Sequence, residues 1–330
     1  MRLAFLALAA GLAVAAPAHA QQMTRLTFGT DWLAQAEHGG FYQALAAGLY
    51  RQRGLDVTIR MGGPQQNPAQ NLVAGVVNAQ MFSDGFSVFN FTAQNIPMVA
   101  VGAMFQKNPQ VLIAHPGQGN DSLEAMRGKP ILISTAARTS YWTFLRAKFG
   151  YTDAQIRPYT FNMAPFLADR SAIQQGFLTS EPYAIQQAGV QPVVHLLADA
   201  GYDTYSCMIV LPRQMIERQP DVVRAFVEAT IEGWYHYIYR DPSAGNALIK
   251  RDNPEMTDAK IANSIALMRQ YGIVDSGDSQ TMGIGAMTEA RWKSFFETVS
   301  GAGVYPATLP WQTAFTTDFV NKRHGIQLRP

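Results

Sequence analysis

From residue 25 onward the chain alternates strand-like and helix-like segments, and that rhythm excludes most architectures. Residues 25–29 and 55–60 alternate apolar with polar side chains, the pattern of strands with one face buried. Between them, 39–53 carries Phe41, Leu45 and Leu49 on one helical face, with Gly54 placed to end the helix. The same reading predicts a helix over 67–78, a strand over 80–83, a helix over 87–94 and a strand over 98–105. Units of this kind lay helices over a mostly parallel sheet, so the fold class is α/β. A second unit starts near residue 110, with strands at 111–115, 131–135 and 193–197 and helices at 140–149 and 164–176. A strand at 207–211 returns to the first unit, and 220–239, 257–271 and 289–301 then read as helices. The expected organisation is two lobes joined by two crossovers, near 103–109 and 200–207. Lobe 1 takes 21–105 and 205–330, and lobe 2 takes 106–204. Two crossings make a hinged cleft, and ligands favour such interfaces and the carboxyl ends of strands.

The first twenty residues stand outside this rhythm. Arg2, the apolar stretch 3–16 and Ala18-His19-Ala20 read as a secretory signal peptide cleaved after Ala20. The apolar run is shorter than the roughly 20 residues a membrane-spanning helix needs. The expected location is an envelope space, most simply a bacterial periplasm, and Gln21 at the new terminus offers no thiol for lipid attachment. Charge and cysteine content exclude further classes. Lys and Arg number 26 against 24 Asp and Glu, and no basic run is long enough to follow a phosphate backbone, so no nucleic-acid partner is expected. A single cysteine, Cys207, excludes an internal disulfide and a thiolate metal cluster. The chain has no G-x-S-x-G, no H-E-x-x-H, no P-loop and no G-x-G-x-x-G opening a helix after a strand. The histidines are widely spaced; no catalytic residue, metal or cofactor is assigned.

Four clusters carry polar chemistry. Asp31-Trp32 follows the first strand, where an α/β lobe presents its ligand-facing loop. A carboxylate beside a large ring suits a flat heteroaromatic with N–H donors, although the pair also fits a helix-capping Asp and a core Trp. Glu181-Pro182-Tyr183 repeats the pairing in the second unit, or else merely seats Glu181 in the first turn of a helix. The 134–141 segment, with Arg138 and Thr139, offers an anion or polar-group cradle at a helix start, or a simple helix cap. Asp84, in Phe82-Ser83-Asp84-Gly85, faces the cleft or makes a turn.

These strings occur in a meaningful order. Asp31-Trp32, His38-Gly39-Gly40-Phe41-Tyr42-Gln43-Ala44, Gly48-Leu49-Tyr50, Gly54-Leu55-Asp56-Val57, Ser83-Asp84-Gly85 and Ser180-Glu181-Pro182-Tyr183 together resemble the NMT1/THI5-like family of ABC-transporter substrate-binding proteins. The likeness is densest over 25–60. It implies a type-2 periplasmic-binding-protein fold, two Rossmann-like lobes around a ligand cleft. It also implies a monomer that serves an ABC permease and its ATPase subunit in the inner membrane. Members nearest this pattern are similar to binders of thiamine pyrimidine precursors, such as formylaminopyrimidine or hydroxymethylpyrimidine, in which aromatics sandwich the ring and carboxylates accept from its amino group. Relatives take riboflavin, and more distant ones take nitrate, sulfonates or taurine. By that resemblance Asp31, Trp32, Glu181 and Tyr183 are the expected ligand contacts; His38, Asp84, Arg138 and Thr139 are added as candidates from the clusters themselves, the 136–139 loop departing from the turn of the anion-binding relatives. A eukaryotic synthase shares the His-Gly-Phe-Tyr string but needs a cysteine-rich iron motif, which one cysteine cannot supply. Two other readings stay open: a small oxo-anion held by Arg138, or a secreted enzyme using the same cleft.

Overall fold

The computed structural model describes residues 23–63 and 66–330; the expected signal peptide and its cleavage point lie outside the described residues. Among the described residues, ten strands form two five-stranded sheets. The first contains β1 (Thr24–Gly29), β2 (Leu55–Arg60), β3 (Ala79–Phe82), β4 (Met98–Phe105) and β10 (Ser206–Pro212), in the order β2-β1-β3-β10-β4. The second contains β5 (Gln110–Ala114), β6 (Ile131–Ile133), β7 (Ile156–Pro158), β8 (Ile173–Phe177) and β9 (Val193–Leu196), in the order β7-β6-β8-β5-β9. The chain leaves the first sheet between β4 and β5 and returns between β9 and β10.

Both sheets are mixed, where the sequence pattern predicts mostly parallel ones. β1 pairs in parallel with β2 and β3, but β10 runs antiparallel to both β3 and β4. In the second sheet β5 likewise runs antiparallel to β8 and β9. The strands that carry the chain between the sheets enter against the grain, and hydrophobic periodicity does not record strand direction.

Helices cover the sheets. In the first unit these are α1 (Gly39–Ala46), α2 (Pro68–Val73) and α3 (Gly85–Ala93). The second unit contributes α4 (Tyr141–Phe149), α5 (Ala164–Ala168) and α6 (Glu181–Gln187). The C-terminal third is helical: α7 (Arg213–Arg218), α8 (Pro220–Tyr239), α9 (Ser243–Asp252), α10 (Asp258–Gln270), α11 (Ser279–Met282) and α12 (Glu289–Gly301). Three helical readings shorten. The one over 39–53 ends at Ala46 and gives way to a 3-10 turn, and the one over 67–78 ends at Val73. The one over 164–176 is α5 followed by a turn and β8, because Asp169 Oδ1 accepts from the amide of Ser171 at 2.8 Å and breaks the helix. No helix among the described residues is long and apolar enough to cross a membrane.

The His-Gly-Gly-Phe-Tyr string is explained by packing. A Cβ on Gly40 would lie 2.2 Å from the Trp234 ring, and one on Gly233 would lie 2.2 Å from the Gly40 carbonyl oxygen. Helices α1 and α8 thus touch backbone to backbone. Phe41 packs edge-on to Trp234 at 6.0 Å and against Phe28 of β1 at 4.4 Å. Gly233→Ala is expected to destabilise the fold by about 1–3 kcal/mol, since an added methyl there has no room. Chemical denaturation measures it.

Candidate functional site

Between the two sheets lies a cavity of about 540 Å³. Its first wall is built by the loop after β1 and by the β3–α3 turn. Thr30 fixes the loop: its hydroxyl donates to the Trp32 carbonyl at 2.8 Å and accepts from the Gly62 amide at 3.1 Å. Gly62 is needed there, because a Cβ would stand 2.5 Å from the Thr30 carbonyl oxygen. So held, Asp31 and Trp32 line the cavity. The Asp31 carboxylate accepts a short hydrogen bond from Ser83 and lies 3.4 Å from Nε2 of His38.

Asp84 caps α3, accepting from the Ser87 amide at 3.0 Å. It also lines the cavity, so the capping and ligand-facing readings of this residue are compatible. Burial pushes its carboxyl up to about 6, against the Ser87 hydrogen bonds.

The opposite wall comes from the second sheet. Glu181 opens α6 and is buried. One oxygen accepts from the Tyr159 hydroxyl at 2.9 Å and the other from the Phe177 amide at 2.8 Å. Burial outweighs these bonds and pushes the carboxyl up to about 7. Each oxygen keeps a lone pair, so the group can still accept from a ligand. Gln175, a further lining residue, receives the Ser134 amide at 2.6 Å and the Tyr141 hydroxyl at 2.7 Å.

The structure brings Asp31, Trp32, His38, Asp84, Thr139 and Glu181 to this one cavity. Tyr183 and Arg138 are not among its lining residues. Tyr183 sits two positions beyond Glu181 on the same helix, and residues so spaced do not share a face. Arg138 is exposed on the 3-10 turn Ala136–Thr139. Among the described lining residues there is no Lys and no Arg. No group of three or more His, Cys, Asp or Glu among the described residues is arranged to hold a metal ion.

Phe161 is a lining ring that the sequence pattern did not flag. It meets Trp32 edge-on across the cavity, with centroids 5.7 Å apart and planes at 78°. Its φ is +65°, a left-handed conformation that a bulky side chain rarely adopts. The surrounding structure holds the strained residue at the ligand-facing wall. Phe161→Gly is expected to stabilise the empty protein by about 1 kcal/mol in denaturant titrations, by relieving that strain. The same variant is expected to bind ligand more weakly in calorimetry.

Comparison with known proteins adds three findings. Residues 35–244 match a family described as NMT1/THI5 like. A curated relative, the riboflavin-binding protein RibY of Chloroflexus aurantiacus, is 24% identical over 322 residues, covering 94% of this chain and 90% of its own. Among solved structures, the alkanesulfonate-binding protein SsuA from Xanthomonas axonopodis pv. citri bound to MOPS superposes with a TM-score of 0.64 at 15% identity, over 90% of this chain and 99% of that one. The desulfurization enzyme DSZB superposes at 0.59 and 11% identity, over 93% and 100%. The fold is that of periplasmic binding proteins. It carries binding proteins and an enzyme alike, so function follows from the cavity rather than from the fold.

Proposed function

The chain belongs to the NMT1/THI5-like family, and on that premise we propose that it is the solute-binding protein of an ABC importer. In this reading it works in the periplasm and hands a flat heteroaromatic solute with N–H donors, of the aminopyrimidine kind, to a membrane permease and its ATPase subunit. The observation that carries the reading is the chemistry of the lining: three carboxyls, Asp31, Asp84 and Glu181, with the rings of Trp32 and Phe161 and, among the described residues, no Lys or Arg. Carboxylates accept from ring amino groups, and rings stack on a flat ligand. The same lining repels a sulfonate or nitrate, and Arg138 stands outside it.

Asp31 and Trp32 engage the solute from the first unit, and Glu181 engages it from the second. Phe161 takes the part that the sequence pattern gave to Tyr183. A closed state that makes both sets of contacts is favoured by the difference in its affinity for the solute. The solute leaves unchanged, and no turnover belongs to the reading.

A second reading, riboflavin, draws support from the name of the relative that spans 94% of this chain. A cavity of about 540 Å³ also has room for more than a single ring. Isothermal titration with hydroxymethylpyrimidine, riboflavin and an alkanesulfonate tests both. Binding of the pyrimidine is the expected result. Binding of riboflavin alone would change the ligand and keep the pocket chemistry, whereas binding of the sulfonate alone would overturn the proposal.

A further inference from the structure

One buried carboxyl lies behind the cavity rather than in its lining. Glu37, in the 3-10 turn Ala36–His38 that leads into α1, is 1% exposed. Its Oε1 accepts a short hydrogen bond from the hydroxyl of Thr179, a residue of the second unit. Oε2 has no hydrogen-bond partner among the described residues, and neither has Nδ1 of the adjacent His38. Burying a carboxyl with one oxygen unpaired is unfavourable, and an apolar side chain of similar volume would be more stable there.

Thr179 is fully buried, and its carbonyl accepts from the Ser264 hydroxyl of α10 at 2.6 Å. The turn between β8 and α6 is therefore gripped from two sides by elements that pack on the first unit. Glu181 follows two residues later. On the other side of the joint, His38 follows Glu37 and reaches Asp31 at 3.4 Å. The carboxyls on the two walls of the cavity thus hang from the ends of one tie.

Resting on the solute-binding reading above, we propose that Glu37 is a positioning residue: its bond to Thr179 is the joint that holds Glu181 in the cavity opposite Asp31. The groups that face it are His38 and Asp31 from its own segment, Thr179 and Glu181 from the β8–α6 turn, Cys207 from β10 and Tyr237 from α8. None is a Lys or Arg. Burial pushes the Glu37 carboxyl above its usual range, the Thr179 bond and His38 opposing it and Asp31 adding to it.

Hydrogen–deuterium exchange of the ligand-free protein tests this at residues 177–187. Thr179→Val, which removes the donor, is expected to quicken exchange there by roughly tenfold relative to the wild type, the loss of one buried hydrogen bond. Thr179→Ser, which keeps the donor, should restore the wild-type rate, and Glu37→Gln, which keeps an acceptor for Thr179, should stay close to it. Wild-type exchange in Thr179→Val, or fast exchange in Thr179→Ser, would overturn the proposal. Circular dichroism identifies a variant that fails to fold, and the Thr179→Ser comparison decides the matter in that case. The readout needs no ligand, so a failed ligand panel leaves the joint standing, and a failed exchange test leaves the pocket reading standing.

Discussion

Asp31→Ala is expected to weaken capture of the solute between ten- and a hundredfold with the fold intact, about 1.5–3 kcal/mol for a hydrogen bond to a charged group. Asp31 is the variant of choice because its loss strands no backbone group. Its partners are the side chains of Ser83 and His38, and it is itself 18% exposed, so the Ser83 hydroxyl at the cavity wall can turn to water. Glu181→Ala removes an acceptor from the opposite wall but also strands the Tyr159 hydroxyl and the Phe177 amide. Its loss of affinity mixes contact with local rearrangement. Arg138→Ala is the control, since Arg138 does not line the cavity, and its affinity should equal that of the wild type. Titration calorimetry with the solute retained on purification reads all three. An unchanged affinity in Asp31→Ala beside a collapse in Arg138→Ala would reverse the assignment.

The empty protein is expected to lose stability as pH rises from 5 to 8. Glu181 is raised from 4.5 to about 7 and Asp84 from 3.8 to about 6, each by burial first. A carboxyl held above its unfolded value binds its proton more tightly in the folded state. Its contribution is therefore complete below the unfolded value and is lost as pH climbs through the folded one. For Glu181 alone the difference corresponds to about 3 kcal/mol. Thermal unfolding of the wild type should show the midpoint falling by several degrees over that window, with Glu181→Gln falling less. A flat or rising midpoint would mean that these carboxyls are ionised in the folded protein. Binding carries the same dependence: a solute that donates N–H groups favours the ionised carboxyls, so its affinity should rise over the window in which the empty protein weakens.

Much of this architecture is legible in the residues because burial imposes a period. β1, β2 and β4 announce themselves by alternation or by continuous apolar character, and the long α8 by its apolar stripe. Strand direction is not legible, since β10 and β5 read the same whichever way they run. β8 hides inside a helical pattern because Ile173, at one end of a short strand, also fits the helical stripe of α5. Around the cavity, Asp31, Trp32 and Glu181 stood out by residue type and by position after strands. Tyr183, expected from the family resemblance, stands two positions beyond Glu181 on α6 and is not among the lining residues, since residues so spaced on a helix do not share a face. Phe161 carried no signal at all: its left-handed backbone and its approach to Trp32 exist only once the two sheets face each other. The glycines of the His-Gly-Gly-Phe-Tyr string serve the contact of α1 with α8, while His38 beside them reaches the cavity.

Native mass spectrometry of the protein purified from its own host tests the central claim most directly. A retained solute whose mass identifies a flat heteroaromatic with ring-borne N–H or amino groups is the expected result. A retained sulfonate, nitrate or other oxo-anion would contradict it, because the cavity offers such a ligand three carboxyls and no Lys or Arg among its described residues.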